Sequence, residues 1–281
     1  MGERIDVVDG ALRHRGKGSP SGFIWEGSPH DLVNVAMCWN YRRFMNPSPQ
    51  IDLNCDLGEG CAFDAELMPL ITSANIACGG HAGDANLAAA ALAEAKRYGV
   101  QVGAHPSFVD REHFGRRELE LCEADIWGDC LLQLANLRRW ARAAGMRVKY
   151  LKPHGALYNM ACRDETYAHA VLLAAALFEL ALVGLPGSEL QKQCGQFSRH
   201  VRFVSEGFAD RRYRPDGSLV PRDQPGAFVT APAEAVQQAK WLIRERGVQT
   251  LCVHGDNPQA VEFIRALRAA LTSQGFLIRA F

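Results

Sequence analysis

The sequence has no excess of either charge, because its 31 lysines and arginines are matched by 31 aspartates and glutamates. Nucleic-acid-binding proteins usually carry a basic excess, so this balance argues against a nucleic-acid partner. Residues 1–30 also lack the apolar run of a secretory signal peptide. From these absences we expect a cytoplasmic protein with neither a nucleic-acid nor a membrane partner.

Several motifs that would identify a mechanism are missing. None of the nine cysteines forms a CxxC pair, which argues against a zinc ribbon and favours reduced, buried thiols. No GxSxG elbow, HExxH pair, Walker loop or GxGxxG stretch occurs. A nucleophilic serine, a metalloprotease helix and the common nucleotide-binding loops are therefore not indicated.

One apolar stretch, AHAVLLAAALFELALVGLPG at residues 168–187, resembles a membrane span. A carboxylate at the centre of a lone span is costly, and Glu179 lies in the middle of this one. The stretch is interpreted as a buried helix that leads into a buried strand.

The first 50 residues differ from the rest of the chain. They contain GKGSPSG, EGSP and NPSPQ, without a sustained helical or strand period, which predicts loop or disorder. We expect an N-terminal extension over residues 1–50, with Met45 as the preferred start, and a single catalytic domain over residues 51–281.

From residue 51 onwards, short apolar segments alternate with helical ones. The helical segments are predicted at residues 84–98, 123–144, 233–246 and 258–273, most of them closed by a glycine. The predicted strands are residues 51–55, 74–78, 100–104, 148–152, 180–184, 201–205 and 250–254. This alternation predicts a parallel sheet of βαβ units, either a closed barrel or a doubly wound sheet.

Polar residues follow six of the seven predicted strands. Parallel strands bring their carboxyl ends to one face, where α/β proteins place their active sites. The residues at these positions are Asp56, Glu59, His81, Asp84, His105, Lys152, His154, Glu206, His254 and Asp256. A functional site is therefore predicted at this face.

The residues alone leave its chemistry open. General acid/base hydrolysis needs only His and carboxylate groups, and a metal site could be assembled from separate strands, for example from Asp56, His81 and His105. GGHAG is weak as a phosphate cradle, although it precedes a helix N-terminus. The long loop at 206–226 offers Arg211, Arg212 or Arg222 to clamp a carboxylate or a phosphate.

Seven motifs in order carry a family resemblance: IDLNCDLGEG, SANIACGGHAGDA, GAHPSFVDREHFGRR, KPHGALYN, LVGLPGSEL, EGFADRRYRPDGSLVPR and CVHGD. Together they resemble the LamB/YcsF family, also known as the A component of the prokaryotic 5-oxoprolinase. The resemblance implies a (β/α)7 barrel similar to the glycoside hydrolase/deacetylase superfamily. It also implies ATP-dependent ring opening of 5-oxo-L-proline to L-glutamate, in a complex with the 5-oxoprolinase subunits B and C.

The same resemblance suggests roles for individual residues. The catalytic set would be Asp56, His81, His105, His154 and Glu206, with one histidine deprotonating water and the carboxylates orienting it or protonating the ring nitrogen. Substrate would be bound by Glu59, Lys152, Asp210, Arg211, His254 and Asp256, with Lys152 and Arg211 on a carboxylate or phosphate. ATP is the expected cofactor, on this chain or on a partner, and the need for a divalent metal stays open.

Two other functions remain as alternatives. One is a metal-dependent, deacetylase-like hydrolase acting on an N-acyl or sugar substrate. The other is a non-catalytic docking protein that only organises partner enzymes.

Overall fold

The computed structural model describes residues 5–8, 11–14, 48–197 and 200–281. The chain divides into two units between Ser48 and Pro49. In the first, β1 (Ile5–Val8) pairs antiparallel with β2 (Ala11–His14), with Ile5 opposite His14. Residues 1–4, 9–10 and 15–47 of the predicted extension, which include Met45, lie outside the described residues.

Seven parallel strands of the second unit form a closed barrel. They are β3 (Gln50–Leu57), β4 (Ser73–Ala77), β5 (Gln101–His105), β6 (Val148–Leu151), β7 (Ala181–Gly184), β8 (Phe203–Phe208) and β9 (Thr250–Cys252). Each strand pairs with the next in chain order, and β9 pairs back with β3. A short β10 (Leu277–Ile278) extends the sheet beside the start of β3. The predicted (β/α)7 barrel is confirmed, with all seven strands near their predicted positions.

Helices cover the outside of the barrel. They are α1 (Asp64–Leu67), which continues into a 3-10 turn (Met68–Leu70), α2 (Ala85–Tyr98), α3 (Glu123–Ala143), α4 (Gly155–Arg163), α5 (Glu165–Leu177), α6 (Glu189–Phe197), α7 (Pro232–Arg246) and α8 (Ala260–Ser273). The four predicted helices are α2, α3, α7 and α8. Asp84 caps α2, because its carboxylate accepts the backbone N–H groups of Asn86 and Leu87.

The apolar stretch at 168–187 contains most of α5 and all of β7, as predicted. Glu179 lies in the turn between them with φ +53°. Within the described residues, no helix is both long and apolar enough to cross a membrane.

Strand β3 shows how the barrel separates apolar from polar side chains. Its alternating residues Ile51, Leu53, Cys55 and Leu57 belong to the apolar layer beneath the helices. The residues between them, Asp52, Asn54 and Asp56, are equally buried but face the barrel axis. Asn54, for example, donates to Glu206 on β8, a strand that is not its neighbour. The interior is therefore a polar network that leads to the carboxyl ends of the strands.

Candidate active site

The carboxyl ends of the strands bring the predicted residues together. Glu59 and His81 follow β3 and β4, His105 ends β5, and His154 follows β6. On the other side, Asp210 follows β8 and His254 follows β9. Strand β8 runs three residues further than predicted, so Glu206 lies within it and is fully buried inside the barrel.

Three histidine rings are anchored at their outer nitrogens. Nδ1 of His81 lies 2.9 Å from the hydroxyl of Ser107. Nδ1 of His105 lies 2.8 Å from the carbonyl oxygen of Lys152, and Nε2 of His154 lies 3.0 Å from that of Phe114. A carbonyl only accepts, so the last two nitrogens carry the protons of their rings.

The inner nitrogens of the three rings converge on Glu59. Oε1 of Glu59 is 2.9 Å from Nε2 of His81, 3.6 Å from Nδ1 of His154 and 4.0 Å from Nε2 of His105. Nδ1 of His154 is also 3.0 Å from Nε2 of His105. The rings of His81 and His154 stack with centroids 3.7 Å apart. We call Glu59, His81, His105 and His154 the histidine cluster.

The histidine cluster fits a divalent cation. When His105 and His154 are neutral, their protons lie on the carbonyl side, and two lone pairs face each other across 3.0 Å. Burial lowers the pKa of His81 and of His154, which favours neutral rings. Metal-bound histidines typically donate their other N–H to a carbonyl or hydroxyl in this way. One ligand atom from each of the four residues lies within 4.8 Å of the others.

Asp56 does not belong to this group of ligands. The metal site considered from the sequence had included it, together with His81 and His105. Its Oδ1 lies 2.9 Å from Nζ of Lys152, and its Oδ2 lies 3.4 Å from Nε2 of His105. Burial alone would raise the pKa of Asp56, but His105 and Lys152 lower it well below its usual range. Asp56 is therefore an ionised carboxylate between the histidine cluster and the buried lysine.

Lys152 is 1% exposed and is surrounded by protein acceptors. Nζ contacts Oε1 of Glu206 at 2.8 Å as well as Asp56, and Sγ of Cys252 at 3.1 Å. Burial would lower the pKa of this ammonium, but Asp56, Cys252 and Glu206 raise it well above its usual value. The charge of Lys152 is therefore balanced by carboxylates inside the barrel.

His254 and Asp210 form a second titratable pair at the same mouth. Nδ1 of His254 lies 3.0 Å from Oδ2 of Asp210, and the imidazole stacks on Phe208 with centroids 5.2 Å apart. Burial would raise the pKa of the fully buried Asp210, but His254 lowers it. Ligand atoms of His254, Asp56 and Cys252 lie within 4.8 Å of one another. Asp56 therefore joins this pair to the histidine cluster.

Arg211 and Asp256 both lie at the rim of the barrel mouth, but they make different contacts. Burial lowers the pKa of Arg211 to about 10. Its guanidinium donates to the carbonyls of Val220 and Ala227, so it braces the loop after β8. Asp256 instead accepts hydrogen bonds from Arg116 and Arg222.

Several contributors are not identifiable from the sequence, although their segments carry motifs. Ser107 offers only a weak hint of a nucleophile, Cys252 is one of nine thiols, and no pattern points to Phe114. Gly115 has φ +64°, and a Cβ there would lie 2.8 Å from Cβ of His81. The glycine of HFGRR is the available signal, because it permits the close approach of this loop to the histidines.

The fold and site define a seven-stranded parallel β/α barrel with a histidine- and carboxylate-rich centre at the carboxyl ends of its strands. The profile of the LamB/YcsF family matches residues 51–281, so the chain belongs to this family. A lactam utilization protein from Thermus thermophilus is 39% identical, with a TM-score of 0.75, over 83% of this chain and 100% of that one.

A more distant similarity supports the fold alone. A putative cellobiose-phosphate cleavage protein from Enterococcus faecalis has a TM-score of 0.54 at 11% identity. The alignment covers 82% of this chain and 97% of that one.

Proposed function

We propose that this chain is a hydrolase that opens a cyclic amide, and that its substrate is 5-oxo-L-proline. The product is L-glutamate, ring opening is coupled to ATP, and the chain works as the A component of a 5-oxoprolinase with partner subunits B and C. Family membership and the similarity to a lactam utilization protein support this assignment. The observation that carries it is the position of the Asp210–His254 pair beside Asp56 and the histidine cluster.

Amide hydrolysis needs a polarised carbonyl, an activated water and a proton on the departing nitrogen. The chemistry that a divalent cation would supply at the histidine cluster is carbonyl polarisation and a lower pKa for water. The protein itself orients these ligands through Ser107 and the carbonyls of Lys152 and Phe114.

His254 is the proton carrier in this proposal, rather than His81, His105 or His154. The outer nitrogens of those three histidines are hydrogen-bonded to the protein, and their inner nitrogens face Glu59. Asp210 fixes Nδ1 of His254, so Nε2 is the nitrogen available to substrate. It takes a proton from the attacking water and returns it to the ring nitrogen as the C–N bond breaks.

ATP makes this stable amide reactive. Transfer of the γ-phosphoryl group to the lactam oxygen gives an O-phosphorylated imidate and ADP. Water adds to the ring carbon, the C–N bond breaks and the nitrogen is protonated, which leaves an acyl phosphate. A second water hydrolyses the acyl phosphate to glutamate and phosphate.

A second candidate is a cation-dependent amide hydrolase that needs no ATP. The observation that favours it is the donor set of the histidine cluster, which suits direct activation of water. This function predicts amide hydrolysis by the chain alone, lost on chelation and restored by metal.

The deciding experiment measures glutamate formation from 5-oxoproline by the chain alone, by subunits B and C alone and by all three together, each with and without ATP. The proposal expects glutamate only from the complete system with ATP, with one ADP for each glutamate. Glutamate release by the chain alone without ATP would refute it and support the second candidate. A partner pair that is fully active without this chain would instead indicate a docking role.

A further inference from the structure

Two arginines share one carboxylate at the rim of the candidate site. Oδ2 of Asp256 accepts from Nη2 of Arg116 and, at 3.2 Å, from Nη1 of Arg222. Arg116 lies in the loop after β5, and Arg222 in the loop after β8. Because one carboxylate offsets only one of the two charges, a positive charge remains in this arrangement.

Both guanidinium groups are held against aromatic rings. The guanidinium carbon of Arg116 lies 4.9 Å from the centroid of Phe114, and that of Arg222 lies 5.5 Å from that of Phe228. Such contacts restrict the long side chains and leave their N–H edges exposed. Within the described residues, Asp256 is the one hydrogen-bond partner of these two guanidiniums. The remaining N–H groups are therefore available to an anion.

The pair lies next to both parts of the candidate site. The ring of Phe114 contacts His81 with centroids 5.2 Å apart, so a single aromatic ring separates Arg116 from the histidine cluster. Asp256 is two residues beyond His254. Burial would raise the pKa of Asp256, but Arg222, His254 and Arg116 lower it.

The other cations that the sequence offered for an anion are already engaged. The ammonium of Lys152 is enclosed by Asp56 and Glu206, and the guanidinium of Arg211 donates to two backbone carbonyls. Arg212 forms an ion pair with Glu234 at 2.7 Å. Arg116 and Arg222 differ from these residues, because they share a single carboxylate and their side chains are 39% and 25% exposed.

We propose that Arg116 and Arg222 form the subsite for a carboxylate on the substrate, with Asp256 holding the two guanidiniums in position. Two planar N–H forks match a carboxylate better than a single ammonium does. The identification of this group as the carboxylate of 5-oxoproline rests on the proposed function. The subsite distinguishes 5-oxoproline from the neutral lactam 2-pyrrolidinone, which has the same ring without the carboxylate.

The test is an NMR titration of the full chain, following the arginine Nε–H and the histidine side-chain signals. The probes are 5-oxoproline, 2-pyrrolidinone and glutarate, which has carboxylates but no lactam. The variants are Arg116→Met and Arg222→Met, whose missing signals also assign the two arginines. Arg97→Met is the matched control, since the one ion pair of this exposed arginine on α2 among the described residues is with Glu94.

We expect 5-oxoproline and glutarate to shift both arginine signals. Each site variant should weaken their binding roughly 10- to 100-fold, as expected for a lost charge-assisted contact. Binding of 2-pyrrolidinone should not change, and Arg97→Met should bind all three probes like the unaltered chain.

Equal weakening of 5-oxoproline and 2-pyrrolidinone, or no effect on either, would overturn the subsite. So would arginine signals that no carboxylate moves. Arginine shifts with glutarate, without any histidine shift by either lactam, would retain the subsite and count against the proposed lactam function.

Discussion

Oδ2 of Asp210 accepts hydrogen bonds from Nδ1 and from the backbone N–H of His254, each at 3.0 Å. These two bonds fix the imidazole relative to its own backbone. The carboxylate also stabilises the protonated ring, which a proton carrier must form during turnover. The pair therefore has the geometry of an oriented general acid/base.

Replacing His254 with alanine should lower kcat in the reconstituted complex roughly 100- to 10,000-fold, the usual contribution of a general acid/base. Asp210→Asn should also lower kcat. The neutral amide stabilises the imidazolium less than the carboxylate does. The rate of glutamate release by the two variants tests both expectations, with His169→Ala on α5 as the control. Unchanged kcat in both variants would rule out His254 as the proton carrier.

A second prediction concerns the histidine cluster. The purified chain should bind one divalent cation, and His154→Ala should weaken that binding by much more than Ser107→Ala. Ser107 only orients His81, and loss of such an outer partner typically costs about 10- to 100-fold in affinity. Calorimetric titration with zinc and elemental analysis of the purified variants would measure this.

His169→Ala is again the appropriate control, because His169 lies on the surface of α5 beside Glu123. Equal cation affinity in His154→Ala and the unaltered chain would show that the cluster is not the binding site.

Much of the barrel could be predicted from the sequence, because short apolar segments and glycine-terminated helices are local signals. Strand-end positions also indicated which polar residues would lie together at one face. The separate roles of the residues at that face were not predictable. Lys152 is enclosed by carboxylates, whereas the side chain of Arg116 is partly exposed at the rim. This difference depends on distances across the barrel, which no local sequence pattern encodes.

Strand β3 illustrates the same limit. The alternation in IDLNCDL is typical of a strand with one solvated face, yet Asp52, Asn54 and Asp56 are all buried. Their polar partners come from β4, β8 and β9 and from His105 and Lys152, and most of them are distant in sequence. Closure of the barrel, rather than the pattern itself, decides that this polar face is internal.

A third prediction follows from the buried charge of Lys152. In Lys152→Met the carboxylates of Asp56 and Glu206 lose their shared counter-ion, since both contact Nζ. Breaking a buried pair in this way typically costs roughly 3–5 kcal/mol of unfolding free energy. Urea denaturation would measure the loss.

Lys192→Met is a matched control for this experiment. Lys192 pairs with Glu189 on the surface, where ion pairs contribute at most about 1 kcal/mol. If Lys152→Met were as stable as Lys192→Met, the network around Lys152 would not support the barrel.

The last prediction concerns Asp52, below the candidate site. Its carboxylate accepts hydroxyl hydrogen bonds from Thr72, Ser73 and Thr250, but burial raises its pKa from 3.8 to about 6. A raised carboxyl pKa means that the folded state holds the proton more tightly than the unfolded chain. The resulting stabilisation is complete below pH 3.8 and is lost as the pH rises through about 6.

Asp52→Asn removes this titration and keeps an acceptor oxygen for the hydroxyls. The difference in unfolding free energy, variant minus unaltered chain, should therefore increase by up to about 3 kcal/mol between about pH 4 and about pH 8. Urea denaturation at several pH values measures that difference, and because both proteins share every other titrating group, the contributions of those groups cancel. A difference that stays constant with pH would show that Asp52 keeps an ordinary pKa in the folded barrel.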